Sequence, residues 1–115
     1  MFDDVSSTAL RVAVSGLSAR QTAIANNISN IETPGYRAQK VKFEESLHNA
    51  VSQGLAPSTV SHDVLTSLEP TRLNGNNVNL DSETLSHIDT TMRYQLTIRA
   101  MDSKYSLLRD VIKGA

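Results

Sequence analysis

Cysteine is absent from the 115 residues, which excludes disulfide scaffolds, thiolate zinc sites and cysteine nucleophiles, and leaves the compartment open. Tryptophan is absent too, and aromatic residues are only 4% of the chain, while Ser, Thr and Asn are abundant. A single compact core is hard to build from such a supply. Charge of one sign is also missing: 11 Lys+Arg face 12 Asp+Glu for a net charge of -1, a balance that gives no field for phosphate backbones or anionic lipid. No apolar run approaches the ~18 residues of a membrane-spanning helix. Met1-Phe2-Asp3-Asp4 has neither the basic region nor the apolar region of a secretory leader, so a cleaved signal peptide is not expected.

Catalytic and ligand-binding patterns are equally thin. His48, His62 and His87 stand far apart, none at a metal-ligand spacing from another. His62-Asp63 is accompanied by no nucleophile elbow, and the chain has neither a Walker-type loop nor G-x-G-x-x-G. Arg37, Lys40 and Lys42 are followed at once by Glu44 and Glu45, too little positive charge and too few aromatics for nucleic acid. The sequence thus predicts no enzyme, no cofactor, no metal site, no nucleic-acid partner and no small-molecule substrate.

What is present is helical periodicity at the two ends. Leu10, Val14, Leu17, Ile24, Ile28 and Ile31 fall at alternating intervals of four and three, Gln21 taking the one polar place. That is the spacing of a coiled-coil seam. Ser6 or Ser7 can cap a helix there, and Asp3 and Asp4 lie on the side the helix dipole favours. A second stripe, Tyr94, Ile98, Met101, Tyr105, Leu108 and Ile112, repeats the pattern, with Leu85, Ile88, Met92 and Leu96 on a displaced face. Asn79 or Asp81 can cap its start, and Asp81 and Glu83 add negative charge to its first turn. The fold expected is mainly α: two long terminal helices, residues 6–31 and 79–113, forming an antiparallel coiled-coil-like hairpin within one unit spanning 1–115. Residues 32–77 show no sustained period and are expected to be extended or irregular with at most short β structure, the Val41-Lys42-Phe43 alternation being the best strand candidate.

The most specific stretch is Ala25-Asn26-Asn27-Ile28-Ser29-Asn30-Ile31-Glu32-Thr33-Pro34-Gly35-Tyr36-Arg37-Ala38. Asn26, Asn27 and Asn30 weaken an isolated helix, since short amides compete for its backbone, yet they can bond across a packed interface and fix its register. Pro34 and Gly35 fit the central positions of a type II turn over Thr33-Pro34-Gly35-Tyr36, which requires positive φ at Gly35.

This string, following an amphipathic helix, resembles the signature of bacterial flagellar rod, hook and hook-associated axial proteins. Val41-Lys42-Phe43-Glu44-Glu45-Ser46-Leu47 and Asn76-Asn77-Val78-Asn79-Leu80-Asp81-Ser82-Glu83 resemble the basal-body proximal rod proteins of the B type more particularly. Met92-Arg93-Tyr94-Gln95-Leu96-Thr97 departs from the last-helix pattern of the other members, and no large domain separates the terminal helices, which points the same way. The resemblance implies a structural subunit of the periplasmic rod, exported uncleaved by the flagellar system. Implied partners are further copies of the chain, other proximal rod proteins, the rod adapter protein, the MS ring and the export gate. Leu10, Val14, Leu17, Ile24, Asn26, Asn27, Ile28, Asn30 and the stripe from Tyr94 to Ile112 are then expected to carry assembly. A soluble helical adaptor or chaperone that binds a partner helix is the alternative.

Overall fold

A computed structural model describes residues 5–57 and 60–114. Five elements follow in chain order: helix α1 (Val5–Ser29), strand β1 (Gln39–Lys42), helix α2 (Glu44–Ser52), strand β2 (Asp63–Thr66) and helix α3 (Leu80–Gly114). The molecule measures 66 × 26 × 15 Å with a radius of gyration of 17.7 Å, against about 13 Å for a compact domain of this length. Elongation follows from composition: with few large side chains there is no sphere to fill.

Both long helices stand within a residue or two of their expected ends. Asn79 caps α3, its side-chain oxygen accepting from the Ser82 backbone N–H at 3.2 Å, and Asp81 and Glu83 occupy the first turn. At the other end the capping expectation fails. Ser6 and Ser7 lie inside α1 because the helix already includes Val5; Asp3 and Asp4 fall outside the described residues. The two helices lie against each other. Asn27, near the end of α1, bonds Glu83 near the start of α3, and Tyr94 packs on the cluster around Leu17, so rising numbers on one helix pass falling numbers on the other.

The middle segment is more ordered than its lack of period predicts. β1 and β2 pair antiparallel, Gln39 opposite Thr66 and Lys42 opposite Asp63, and the Ser67 N–H donates to the Ala38 carbonyl at 2.8 Å. α2 is a helix that the sequence reading missed. Its nine residues are too few for a sustained stripe, but Glu44 and Glu45 complement the dipole of its first turn and Leu47 and Ala50 turn inward.

The core is small: Leu17, Ala23, Val41 and Phe43, with Ala13, Ala19, Leu47 and Tyr94 packed around them. Phe43 carries the largest share of its apolar area and sits on Gly16. A Cβ built at that glycine would lie 2.4 Å from the ring, so α1 and the start of α2 approach more closely than any side chain at residue 16 permits.

Candidate assembly junction

The Asn-rich end of α1 meets the segment leading into α3, and buried amides hold the two together. Asn27 is 1% exposed. Its Nδ2 donates to the Gln39 carbonyl at 2.9 Å and to Glu83 Oε1 at 3.1 Å. Its Oδ1 accepts from the Gln39 N–H at 2.8 Å and from the Tyr36 hydroxyl at 3.3 Å. One short side chain thereby ties α1 to β1, to the turn and to α3. A buried amide with both donors and its acceptor used carries no desolvation penalty that its bonds do not offset.

Two further asparagines repeat the device from the opposite side. Asn76, fully buried, donates through Nδ2 to the carbonyls of Asn30 and Thr33, both at 2.8 Å, and accepts from the Val78 N–H at 2.8 Å. Both carbonyls lie just past the end of α1 and also accept a backbone bond, Asn30 from the Thr33 N–H at 3.0 Å and Thr33 from the Tyr36 N–H at 3.2 Å, so Asn76 uses the second lone pair of each. Asn77 donates to the carbonyls of Ser67 and Glu69 at 3.2 Å and accepts from the Ala38 N–H at 2.7 Å. Arg72 adds a bond from Nη2 to the Ile31 carbonyl at 2.5 Å.

Between these clasps the Thr33-Pro34-Gly35-Tyr36 turn forms as expected. The Tyr36 N–H donates to the Thr33 carbonyl at 3.2 Å, and Gly35 has φ +77°. Its own N–H donates to the Asn74 carbonyl at 2.8 Å. Gly75, at φ +82°, faces it so closely that an added Cβ would stand 3.2 Å from the Gly35 Cα. The two glycines are thus a close backbone crossing, beyond the turn chemistry that sequence alone assigns.

Charge is arranged around two carboxylates in opposite ways. Arg20 donates to both oxygens of Glu44 at 2.6 Å and to the Val41 carbonyl at 2.7 Å, with its guanidinium 5.1 Å from the Phe43 ring centre. These bonds from Arg20 hold Glu44 below its ordinary range despite partial burial. Glu83 behaves inversely: burial pushes its pKa up, opposed by the Asn27 hydrogen bond and the nearby Lys40, and Glu69 adds to the rise. Burial also raises Tyr36, with Glu83 contributing. Because the folded Glu83 holds its proton more tightly than the unfolded chain does, its contribution to stability is greatest at acid pH and is lost as pH rises through the folded value. Glu83→Gln keeps an oxygen for Asn27 and removes the buried charge. The urea midpoint of this variant is expected to exceed that of the parent at pH 7, the gap closing as pH falls toward about 4.

The residues singled out by sequence distribute unevenly. Leu17 and Ile24 are buried and Leu10 and Val14 half-buried, but Ile28 is 37% exposed; at the end of α1 the inward position is Asn27 instead. Asn26 is exposed. The Asn30 side chain bonds locally, to the Asn26 carbonyl at 2.8 Å and with the Thr33 hydroxyl at 3.0 Å, while its carbonyl accepts from Asn76. Thr33, Pro34 and Gly35 are exposed and Tyr36 half-buried. On α3, Tyr94, Ile98, Met101, Tyr105 and Leu108 are half-buried, whereas Ile112 is 65% exposed. Missed altogether were the bonding roles of Asn76, Asn77 and Glu83, the Arg20–Glu44 pair and the Gly16–Phe43 contact. The only available signal was the repetition of Asn-Asn at both ends of the junction.

Comparison with known proteins finds that residues 10–37 match the family described as "Flagella basal body rod protein". Over 89% of its length the chain is 31% identical to "Flagellar basal body rod protein FlgB" of Aeromonas hydrophila, covering 88% of that protein. It is likewise 31% identical to the protein of that name from Bacillus subtilis (strain 168), over 91% of each. The Escherichia coli (strain K12) protein of that name is 26% identical over 83% of each chain. The matched residues 10–37 take in Gly16, Leu17, Arg20, Asn27 and the turn, and the long alignments extend the likeness to nearly the whole chain.

Proposed function

We propose, from the premise that the chain belongs to the flagellar basal body rod protein family, of the FlgB type, that it is a structural subunit of the proximal rod. Likeness to rod proteins along about nine-tenths of the chain is the observation that carries this reading. The adaptor alternative is not favoured, since the relatives named above are rod proteins at nearly full length. In this role nothing reactive is needed: function resides in shape and in the surfaces α1 and α3 present. The chain serves as one unit, with its terminal helices packed as an antiparallel coiled-coil-like hairpin. Leu10, Val14, Leu17, Ile24 and the Tyr94-to-Ile112 stripe provide its apolar surface, within the subunit and between subunits. Its partners are other copies and other rod proteins in the periplasmic part of the basal body, with the rod adapter protein, the MS ring and the export gate at its base. The asparagine junction sets the angle at which the middle segment leaves the helices, and the amides that hold it favour a single register.

The test is incorporation. The chain is expected in purified basal bodies, and Leu108→Asp is expected to abolish its incorporation while the protein is still made and exported. An unpaired carboxylate placed in the α3 stripe costs on the order of several kcal/mol wherever that surface is covered. Normal motility and normal incorporation of the variant would contradict the role given to the stripe, and absence of the chain from basal bodies would contradict the rod reading itself.

A further inference from the structure

The chain holds eight asparagines, and only Asn74 is followed by glycine. Asparagine is a thermolabile residue, and an Asn-Gly pair reacts most readily, because the glycine nitrogen can attack the asparagine Cγ with no Cβ to crowd its approach. The attack closes a five-membered succinimide. The side-chain nitrogen leaves as ammonia, taking with it the proton of the attacking N–H. Water then opens the ring at either carbonyl: cleavage at Cγ gives aspartate, and cleavage at the main-chain carbonyl gives isoaspartate, in which the backbone runs on through the side chain.

Asn74 is exposed, so water reaches it, but the groups that must react are engaged. The Gly75 N–H donates to the Arg72 carbonyl at 2.9 Å, which holds in a turn the proton that has to leave. Asn74 Oδ1 accepts from the Asn76 N–H at 3.1 Å; this bond polarises the amide and favours attack, yet it also fixes the side chain. The Asn74 carbonyl accepts from the Gly35 N–H at 2.8 Å, and Gly75 lies close against Gly35. Turning the Asn74–Gly75 peptide toward Cγ therefore breaks the glycine crossing.

We propose that Asn74 is a site of spontaneous modification, passing through a succinimide to aspartate and isoaspartate, and that the closed junction holds this reaction back. The chemistry is independent of the rod reading. Its two products act differently on the junction. Aspartate leaves the main chain as it was, and its carboxylate still accepts from the Asn76 N–H. Isoaspartate inserts a methylene into the main chain just before Gly75, which moves Gly75 off Gly35 and draws Asn76 away from the Asn30 and Thr33 carbonyls. A chain whose junction stands open thus ages into a form that no longer closes, while a closed chain is preserved.

The purified chain is kept in mildly alkaline buffer with and without concentrated urea, and the tryptic peptide spanning residues 73–93 is followed by tandem mass spectrometry for exchange of NH2 by OH. In urea Asn74 is expected to convert faster than every other asparagine, giving both aspartate and isoaspartate. In buffer its conversion is expected to be slower by on the order of tenfold or more, since reaction proceeds only from opened forms. Asn76→Ala, which removes a clasp but keeps the N–H at that position, should raise the rate in buffer several-fold and leave the rate in urea unchanged. Gly75→Ala, compared in urea where the fold no longer matters, should convert several-fold more slowly. The isoaspartate form, separated by ion exchange and chromatography of its peptide, should unfold at lower urea than the parent, whereas Asn74→Asp should stay close to it. Equal rates in buffer and urea, another asparagine converting as fast as Asn74 in urea, or aspartate formed without isoaspartate would each overturn the proposal. An isoaspartate form as stable as Asn74→Asp would overturn the effect assigned to the added methylene.

Discussion

Asn27→Ala is expected to destabilise the chain by on the order of 3 kcal/mol or more, read as a fall in the urea midpoint and in helicity by circular dichroism. The estimate follows from what is left behind: the Gln39 N–H and carbonyl, the Tyr36 hydroxyl and Glu83 Oε1 all lose a partner, and a buried polar group without one costs about 1–3 kcal/mol. Water can enter the space vacated and recover part of this, which is why the costs do not simply add. Asn27→Asp separates the contribution of geometry from that of charge. The shape is kept and the Gln39 N–H still has an acceptor, but a second carboxylate now faces Glu83. Its loss is expected to be greatest near neutral pH and to shrink as pH falls and one of the two acids takes up a proton. An alanine variant as stable as the parent would show that the junction is held by its apolar neighbours instead.

Gly16→Ala is expected to cost about 1–3 kcal/mol through overpacking, an unusual sign for a substitution that in an exposed helix interior stabilises by up to about 1 kcal/mol. The new Cβ would stand 2.4 to 2.6 Å from three ring carbons of Phe43. Relief by moving the ring is opposed because Phe43 is itself buried among Leu17, Val41 and their neighbours and has the Arg20 guanidinium over its face. Phe43→Leu alone should destabilise by removing apolar area, yet it should lessen the penalty of Gly16→Ala in the double variant. A thermodynamic cycle from urea unfolding of the four proteins measures that coupling, and additive losses would remove the steric account.

Features expressed by local spacing were legible before any coordinates. The four–three intervals gave both long helices, Asn79 its cap, and Pro34-Gly35 its turn with the required positive φ. What escaped depends on partners distant in the chain. β2 is exposed at every position, so no alternation of apolar and polar residues marks it, and only its pairing with β1 defines it. Asn76 and Asn77 carry no local sign of their bonding role because their targets lie just past the end of α1, past β2 and beside β1. Ile28 is exposed for a simpler reason. It shares the face of Leu10, 18 residues or about five turns away, but at the end of α1 the neighbours that cover the helix, β1, the turn and the start of α3, gather about Asn27 instead.

The three asparagine clasps have a mechanical consequence. Asn27, Asn76 and Asn77 connect the end of α1 and the strands to the lead-in of α3 side by side, each with several bonds, rather than one after another along the chain. A force pulling the lead-in of α3 away from the turn and the strands is therefore shared by Asn76 and Asn77, while Asn27 alone bonds across the two helices. Such an arrangement resists small displacement stiffly and fails abruptly, where an apolar seam of the same size would creep by sliding. For a structural rod subunit, the angle between helices and middle segment then stays fixed under load until the junction opens.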